Sequence, residues 1–188
     1  MRKARSEGYR SRAAFKLIEV NSRDRLFIPG AKVVDLGAAP GGWSQVAAQK
    51  VGAGGKVIAV DLLEIAPIFG VTVLRGDLRR PEVRAQLVAA LGGDKADVVL
   101  SDLSPNISGI ASADQAHAGE LVRMAIELCR SQLKPGGALL AKVFQGEEFS
   151  GVLQEMKCVF RDVRTIKPSA SRDQSRETFL LARRLKTA

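Results

Sequence analysis

Hydrophobic residues along this chain gather into five short runs, Val33–Leu36, Lys56–Val60, Val71–Leu74, Asp97–Leu100 and Ala138–Val143. Each has the length of a strand and reads as a continuous apolar stretch, the pattern of strands buried on both faces. Helix-like segments lie between most of them, at Ser44–Lys50, Pro81–Leu91 and Asp114–Leu133. Ahead of the first run, Arg12–Val20 carries Ala14, Phe15, Leu17 and Ile18 at the spacing of a helix packed on a sheet. After the fifth, Val159–Ile166 and Thr178–Ala182 are separated only by a loop, which predicts a hairpin. The alternation predicts an α/β fold: a mostly parallel seven-stranded sheet with an antiparallel last strand and helices on both faces. Phe27, Phe69, Phe144 and Phe160 are assigned to its core.

The 188 residues suit one domain spanning the whole chain, with residues 1–30 as a basic N-terminal helix region packed on it. No apolar run approaches the roughly 20 residues of a membrane span. The opening Met1-Arg2-Lys3-Ala4-Arg5-Ser6-Glu7 has no apolar core of a secretory signal, so no membrane association is expected. Cys129 and Cys158 have neither disulfide-framework nor metal-ligand spacing, and two reduced cysteines in a cytoplasmic protein are expected. The single histidine, His117, lacks ligand partners and is read as a surface or packing residue, so no metal is expected.

Charge changes this picture. The formal net charge is +9, and it is unevenly placed. Residues 1–32 hold nine Lys/Arg against three acids, and residues 161–188 hold eight against three. The stretch between them is slightly acidic. If the two ends meet in the fold they form a basic surface suited to phosphates; otherwise they are solubility charge on unrelated faces. Arg2, Lys3, Arg5, Arg10, Arg12, Lys167, Arg172 and Arg176 are the candidate phosphate contacts. The polar run Ser169–Arg176 reads as a loop able to close over a phosphate-bearing ligand, or as a solvated turn. Aromatic residues are only 5% of the chain, so if those phosphates belong to RNA, shape and 2′-hydroxyl contacts are favoured over extensive base stacking.

The first strand runs into Asp35-Leu36-Gly37-Ala38-Ala39-Pro40-Gly41-Gly42-Trp43 and then a helix. Open α/β sheets bind ligands at the carboxyl ends of their strands. Gly37, Gly41 and Gly42 permit close backbone approach, but their spacing is not that of a dinucleotide fingerprint. With Asp35 closing the strand, the turn is read as holding a ligand without phosphate. Asp61, at the end of the second strand, is placed to accept both hydroxyls of a ribose. Asp77, after the third, is placed to accept from an adenine amino group. Adenosine recognition follows, and Trp43 either lines the pocket or packs in the core. Asp102 follows the fourth strand and Lys142 ends the fifth, so the two share an edge.

These motifs resemble the class I methyltransferase pattern. More narrowly, Arg10–Leu17, Asp35–Gln45, Ser101-Asp102-Leu103-Ser104-Pro105-Asn106, Lys142–Gly146, Ser171-Arg172 and Ser175-Arg176-Glu177 resemble, in the same order, the FtsJ/RrmJ family of ribosomal RNA ribose 2′-O-methyltransferases. The resemblance implies a Rossmann-like class I fold and S-adenosyl-L-methionine as cofactor. It implies a cofactor set of Asp35, Gly37, Gly41, Gly42, Trp43, Asp61, Asp77, Leu78 and Asp102. It also implies a catalytic set of Lys16, Asp102, Lys142 and Glu177. The implied acceptor is a uridine ribose of large-subunit (23S) ribosomal RNA, met in the assembled ribosomal particle; a basic protein acting on a large RNA need not self-associate, so a monomer is expected.

The chemistry is an in-line displacement that needs the hydroxyl held near-attack and a proton acceptor. Lys142 is the preferred base, with Asp102 orienting it, Lys16 assisting and Glu177 positioning a lysine or the ribose. The base stays open between the lysines, because Asp102 raises the pKa that a second ammonium lowers. Three other functions remain: a methyltransferase for another RNA, a small molecule or a protein; an RNA-binding module that kept the fold without the chemistry; and a nicotinamide oxidoreductase. The missing dinucleotide fingerprint disfavours the last.

Overall fold

In a computed structural model, which describes residues 4, 6–105, 108–170 and 175–186, the chain alternates strands and helices almost throughout. The order is α1 (Ala13–Asp24), β1 (Lys32–Leu36), α2 (Gly42–Val51), β2 (Lys56–Asp61), β3 (Val71–Arg75), α3 (Pro81–Leu91), β4 (Ala96–Ser101), α4 (Ala111–Gln132), β5 (Leu133–Phe144), α5 (Glu147–Val159), β6 (Phe160–Ile166) and β7 (Glu177–Leu185). The strands form one seven-stranded sheet in the order β3-β2-β1-β4-β5-β7-β6. Strands β1 to β5 pair in parallel, and β7 lies antiparallel between β5 and β6.

The expected α/β sheet with its antiparallel last strand is therefore present. Val33, Val34, Val57, Ile58, Val98, Val99, Leu139 and Leu140 are fully buried or nearly so, because helices cover both faces. On one face α1 and α2 supply Leu17, Val20, Trp43, Val46 and Ala47. On the other α3, α4 and α5 supply Leu87, Leu91, Val122, Ile126 and Met156. Local signals set the boundaries. Pro81 opens α3 at a position where its missing N–H is harmless, and Gly92 closes it in a left-handed conformation at φ 71°.

The structure departs from the sequence reading in three places. Helix α5 was not anticipated, although Val152, Met156 and Val159 bury one stripe and Glu147, Glu148 and Lys157 complement its ends. Strand β5 begins at Leu133 rather than Ala138, with a register irregularity against β4. Phe69 is not in the core: it is 100% exposed on the β2–β3 connection, while Phe27 and Phe160 are buried and Phe144 is half-buried. Among the described residues no helix is long and apolar enough to cross a membrane.

Candidate active site

Strand parity brings the chemistry-bearing side chains to one face. Val98 and Leu100 of β4, Leu140 of β5 and Phe179 of β7 all belong to the core under α1 and α2. Side chains two residues apart on a strand share a face. Asp102 and Lys142 therefore follow Leu100 and Leu140 to the rim on that side, and Glu177 precedes Phe179 there. Strands β5 and β7 register Lys142 against Phe179 and Phe144 against Glu177. Helix α1, seated by Ala14, Leu17 and Val20, delivers Lys16 from above.

Two ion pairs result. Lys142 Nζ lies 3.0 Å from Asp102 Oδ1 and donates to the Asp102 carbonyl at 2.9 Å. Lys16 pairs with Glu177. The Lys142 side chain is only 7% exposed, out of pattern for a lysine unless it is paired. Phe144 and Phe179 stand 5.8 and 5.6 Å from the ammonium groups of Lys142 and Lys16. Burial pushes the Asp102 carboxyl above its ordinary range against the pull of Lys142; Glu177 adds to the rise and Lys16 opposes it. Each of the four side chains thus faces an opposite charge from a neighbouring element, which sets two acids and two ammonium groups together on one rim.

The glycine turn lies at the switch point, where β1 has β2 on one side and β4 on the other. The Asp102 N–H donates to the Leu36 carbonyl, so the ends of β1 and β4 are fastened together. Gly37 and Gly41 hold left-handed φ of 70° and 104°. The space beside the glycines is filled by protein. A Cβ on Gly37 would lie 3.0 Å from both Leu103 Cα and Leu103 N, one on Gly41 would run into Ile68, and one on Gly42 into Ser11. The turn is therefore a junction of the β4 loop, the β2–β3 connection and the segment before α1.

Asp35 does not open into the cleft. It is fully buried, accepts from Ser44 Oγ at 2.6 Å and leaves Oδ1 without a partner. Burial pushes its carboxyl up to about 7; the Ser44 hydrogen bond opposes this, and the Asp102 and Asp61 charges reinforce it. Trp43, 3% exposed, donates to the Ala13 carbonyl and packs on Phe179, so the core alternative holds for it. Leu78 is a core side chain, leaving only its backbone to face a ligand. Asp61 accepts from Ala39 N and Leu63 N, both at 2.8 Å, joining the glycine turn to the loop after β2. Asp77 is held by Arg79, whose hydrogen bonds keep its carboxyl below the ordinary range.

The two basic ends do meet. Glu19 of α1 accepts from Ser169 N, Ser169 Oγ and Ala170 N; Arg12 donates to the Ala170 carbonyl; Asp24 pairs with Arg164. Arg12 and Arg176 are exposed. Arg10, one of the candidate phosphate contacts, has three of its guanidinium donors turned onto backbone carbonyls. Arg2, Lys3, Arg5, Arg172 and the Ser171–Gln174 part of the proposed loop lie outside the described residues. His117 is exposed, and among the described residues no cluster of His, Cys, Asp or Glu is suited to a metal.

A sheet of this order, with a glycine turn at its switch point and acids at successive strand ends, defines a Rossmann-like class I methyltransferase fold. The chain belongs to the FtsJ-like methyltransferase family, which it matches over residues 9–185. It is 53% identical to the ribosomal RNA large subunit methyltransferase E of Nitrosomonas europaea, over 96% of this chain and 88% of that one. It is 54% identical to the protein of the same name in Chromohalobacter salexigens, over 94% and 84%. Among solved structures, a ribosomal RNA methyltransferase of Plasmodium falciparum superposes with a TM-score of 0.83 at 26% identity, covering 94% of this chain and 98% of that one. Fibrillarin of Aeropyrum pernix, solved with natively bound S-adenosyl-L-methionine, shares the fold with a TM-score of 0.65 at 16% identity, over 93% and 75%.

Proposed function

We propose that the protein transfers a methyl group from S-adenosyl-L-methionine to a ribose 2′-hydroxyl of large-subunit ribosomal RNA, a uridine of the 23S molecule met in the assembled particle in the cytoplasm. The observation that carries the reading is the pairing of Lys142 with Asp102 beside Lys16 with Glu177, on the rim that also holds the glycine turn. The named relatives support the ribosomal RNA substrate.

The residues present fit the cofactor. Asp61, Asp77 and Asp102 line successive strand ends, so the cleft repels a pyrophosphate and suits a sulfonium and an ammonium. Asp61 has used one lone pair on each oxygen and keeps the others for ribose hydroxyls. Asp77 would receive the adenine edge with the backbone of Leu78, and Gly37, Gly41 and Gly42 form the floor. Asp35 and Trp43 would act from beneath it, through Ser44 and α1. When bound, the cofactor supplies an electrophilic methyl group on sulfur.

The chain's own residues do the rest. Lys142, once neutral, takes the proton from the acceptor hydroxyl, and its ammonium form then stabilises developing negative charge on that oxygen. Asp102 fixes the Lys142 amine through both its carboxylate and its carbonyl. Lys16, held by Glu177, places a second ammonium beside the oxygen on which negative charge develops. The exposed cations where the chain ends meet bind flanking phosphates.

Radiolabel transfer to ribosomal particles and to naked large-subunit RNA, followed by mapping of ribose methylation, tests this reading. Label on a uridine 2′-oxygen is expected. Label on a base, on a protein or on small acceptors alone overturns it.

A further inference from the structure

We propose that Arg10 is a positioning residue that couples RNA docking on the segment before α1 to cofactor binding in the glycine turn. The proposal rests on the reading above, in which RNA phosphates bind the basic chain ends. The Arg10 guanidinium bridges the two loops that wall the cofactor cleft. Its Nη1 donates to the Pro40 carbonyl of the glycine turn at 3.3 Å and to the Ala66 carbonyl of the β2–β3 connection at 2.6 Å. Its Nη2 donates to the Pro67 carbonyl at 2.6 Å.

The same short segment is fastened to α2 at two further points. Arg10 N donates to Gln45 Oε1 at 2.9 Å, and Gln45 Nε2 donates to the Gly8 carbonyl at 3.2 Å. Ser11 occupies the space beside Gly42 that a side chain would take. The segment thus touches the turn at Pro40, Gly42 and Gln45 within six residues. Ile65 and Ile68 of the β2–β3 connection pack with Ala38, Ala39 and Ala59, so the loop that Arg10 holds is itself one wall of the turn.

Arg10 is suited to this task by its fork. A guanidinium has five N–H donors in one plane, and three are used on these carbonyls. Among the described residues no carboxylate forms a salt bridge with it. Its positive charge and two donors therefore stay available at the rim. A phosphate of bound RNA that takes those donors holds Arg10 on the three carbonyls, so both loops are already ordered when the cofactor enters. Linkage requires the reciprocal effect: bound cofactor, by holding the loops, fixes Arg10 for the phosphate. Lysine cannot substitute, because one ammonium does not span carbonyls on two loops in a plane.

The test measures cofactor affinity of the full chain by calorimetry, with and without whichever large-subunit ribosomal RNA substrate the wild type methylates, the assembled particle or a naked fragment. Wild type, Arg10→Lys and Arg10→Ala are compared, with thermal melts reporting folding. RNA is expected to tighten cofactor binding to the wild type by about 5-fold or more, the lower end of typical coupling. Both variants are expected to bind cofactor more weakly and to lose that tightening, Arg10→Lys while melting near the wild type. A purely structural role lowers affinity but leaves the ratio with and without RNA unchanged, and that result overturns the proposal. So does a wild type that methylates the RNA yet shows no tightening. A wild type that leaves every ribosomal RNA unmethylated overturns the reading beneath it instead.

Discussion

Lys142 reaches Asp102 twice, with Nζ 3.0 Å from the carboxylate and 2.9 Å from the main-chain carbonyl. Because the carbonyl belongs to the backbone just past β4, the contact fixes the amine relative to the sheet. A surface lysine paired only with another side chain would be free to swing.

Lys142→Ala should therefore abolish methylation while leaving cofactor affinity near that of the wild type. General-base and electrostatic contributions of this kind are worth about 10²–10⁴-fold each, so a loss of about 10³-fold or more is expected in single turnover. The carboxylate left behind is already raised toward neutrality by burial, so Asp102 should titrate higher still in the variant. Turnover like the wild type, or a matching loss of cofactor binding by calorimetry, would refute the assignment.

Asp35 makes a prediction about pH. Its carboxyl is raised to about 7, so the fold prefers the protonated form. That preference stabilises the protein fully below the ordinary carboxylate range and is lost as pH rises toward 7. The ceiling is on the order of 4 kcal/mol for a fully buried group. Asparagine keeps an acceptor for Ser44 and cannot ionise. The melting temperature of Asp35→Asn relative to the wild type should accordingly climb between pH 5 and pH 8, as followed by circular dichroism. A difference that does not vary with pH would show that Asp35 is not protonated in the fold.

The parallel sheet, its antiparallel last strand and the rim position of Asp102 and Lys142 were legible because buried strands declare themselves as apolar runs and ligands gather at their carboxyl ends. Helix α5 was hidden by following a strand with only Gln145 and Gly146 between, although its Val152-Met156-Val159 stripe was there to be read. Phe69 misled because hydrophobicity says nothing of which face a loop residue takes. Arg10 was legible only in part, for a deeper reason. Its charge was visible in the sequence, but the carbonyls that take its donors come from residues 40, 66 and 67, which only the fold brings to it. Asp35 and Trp43 sit in the glycine motif, yet serve its underside, a distinction that spacing does not encode.

Where the chain ends meet, binding should be strongly salt-dependent. Arg12 and Arg176 are exposed on the two sides of that junction. If each neutralises one phosphate, Arg12→Ala and Arg176→Ala should each flatten the plot of log affinity against log salt by about one unit. Filter binding to the ribosomal RNA substrate across salt concentrations measures this, and a slope unaltered in both variants removes these arginines from the interface.

Gly37 offers the strictest test of the turn. Its φ of 70° favours a residue without a Cβ, and the nearest atoms to an added one include the backbone N and Cα of Leu103, each at 3.0 Å. Backbone cannot rotate aside as a side-chain tip can, so Gly37→Ala must move the loop after β4. Left-handed strain alone is worth about 1–2 kcal/mol, and displacement of Leu103 adds to it. Leu103 adjoins Asp102, whose amide is bonded to Leu36 on the other side of the same turn. One methyl group should thus disturb both halves of the site, lowering the melting temperature, cofactor affinity and methyl transfer together. Gly92→Ala is the control: it is left-handed at φ 71° and an added Cβ meets only the far end of the Lys56 side chain, at 3.5 Å, so it should cost stability through backbone strain without touching cofactor affinity. Equal loss of cofactor binding in the two variants would mean that strain, rather than the contact with Leu103, governs the turn.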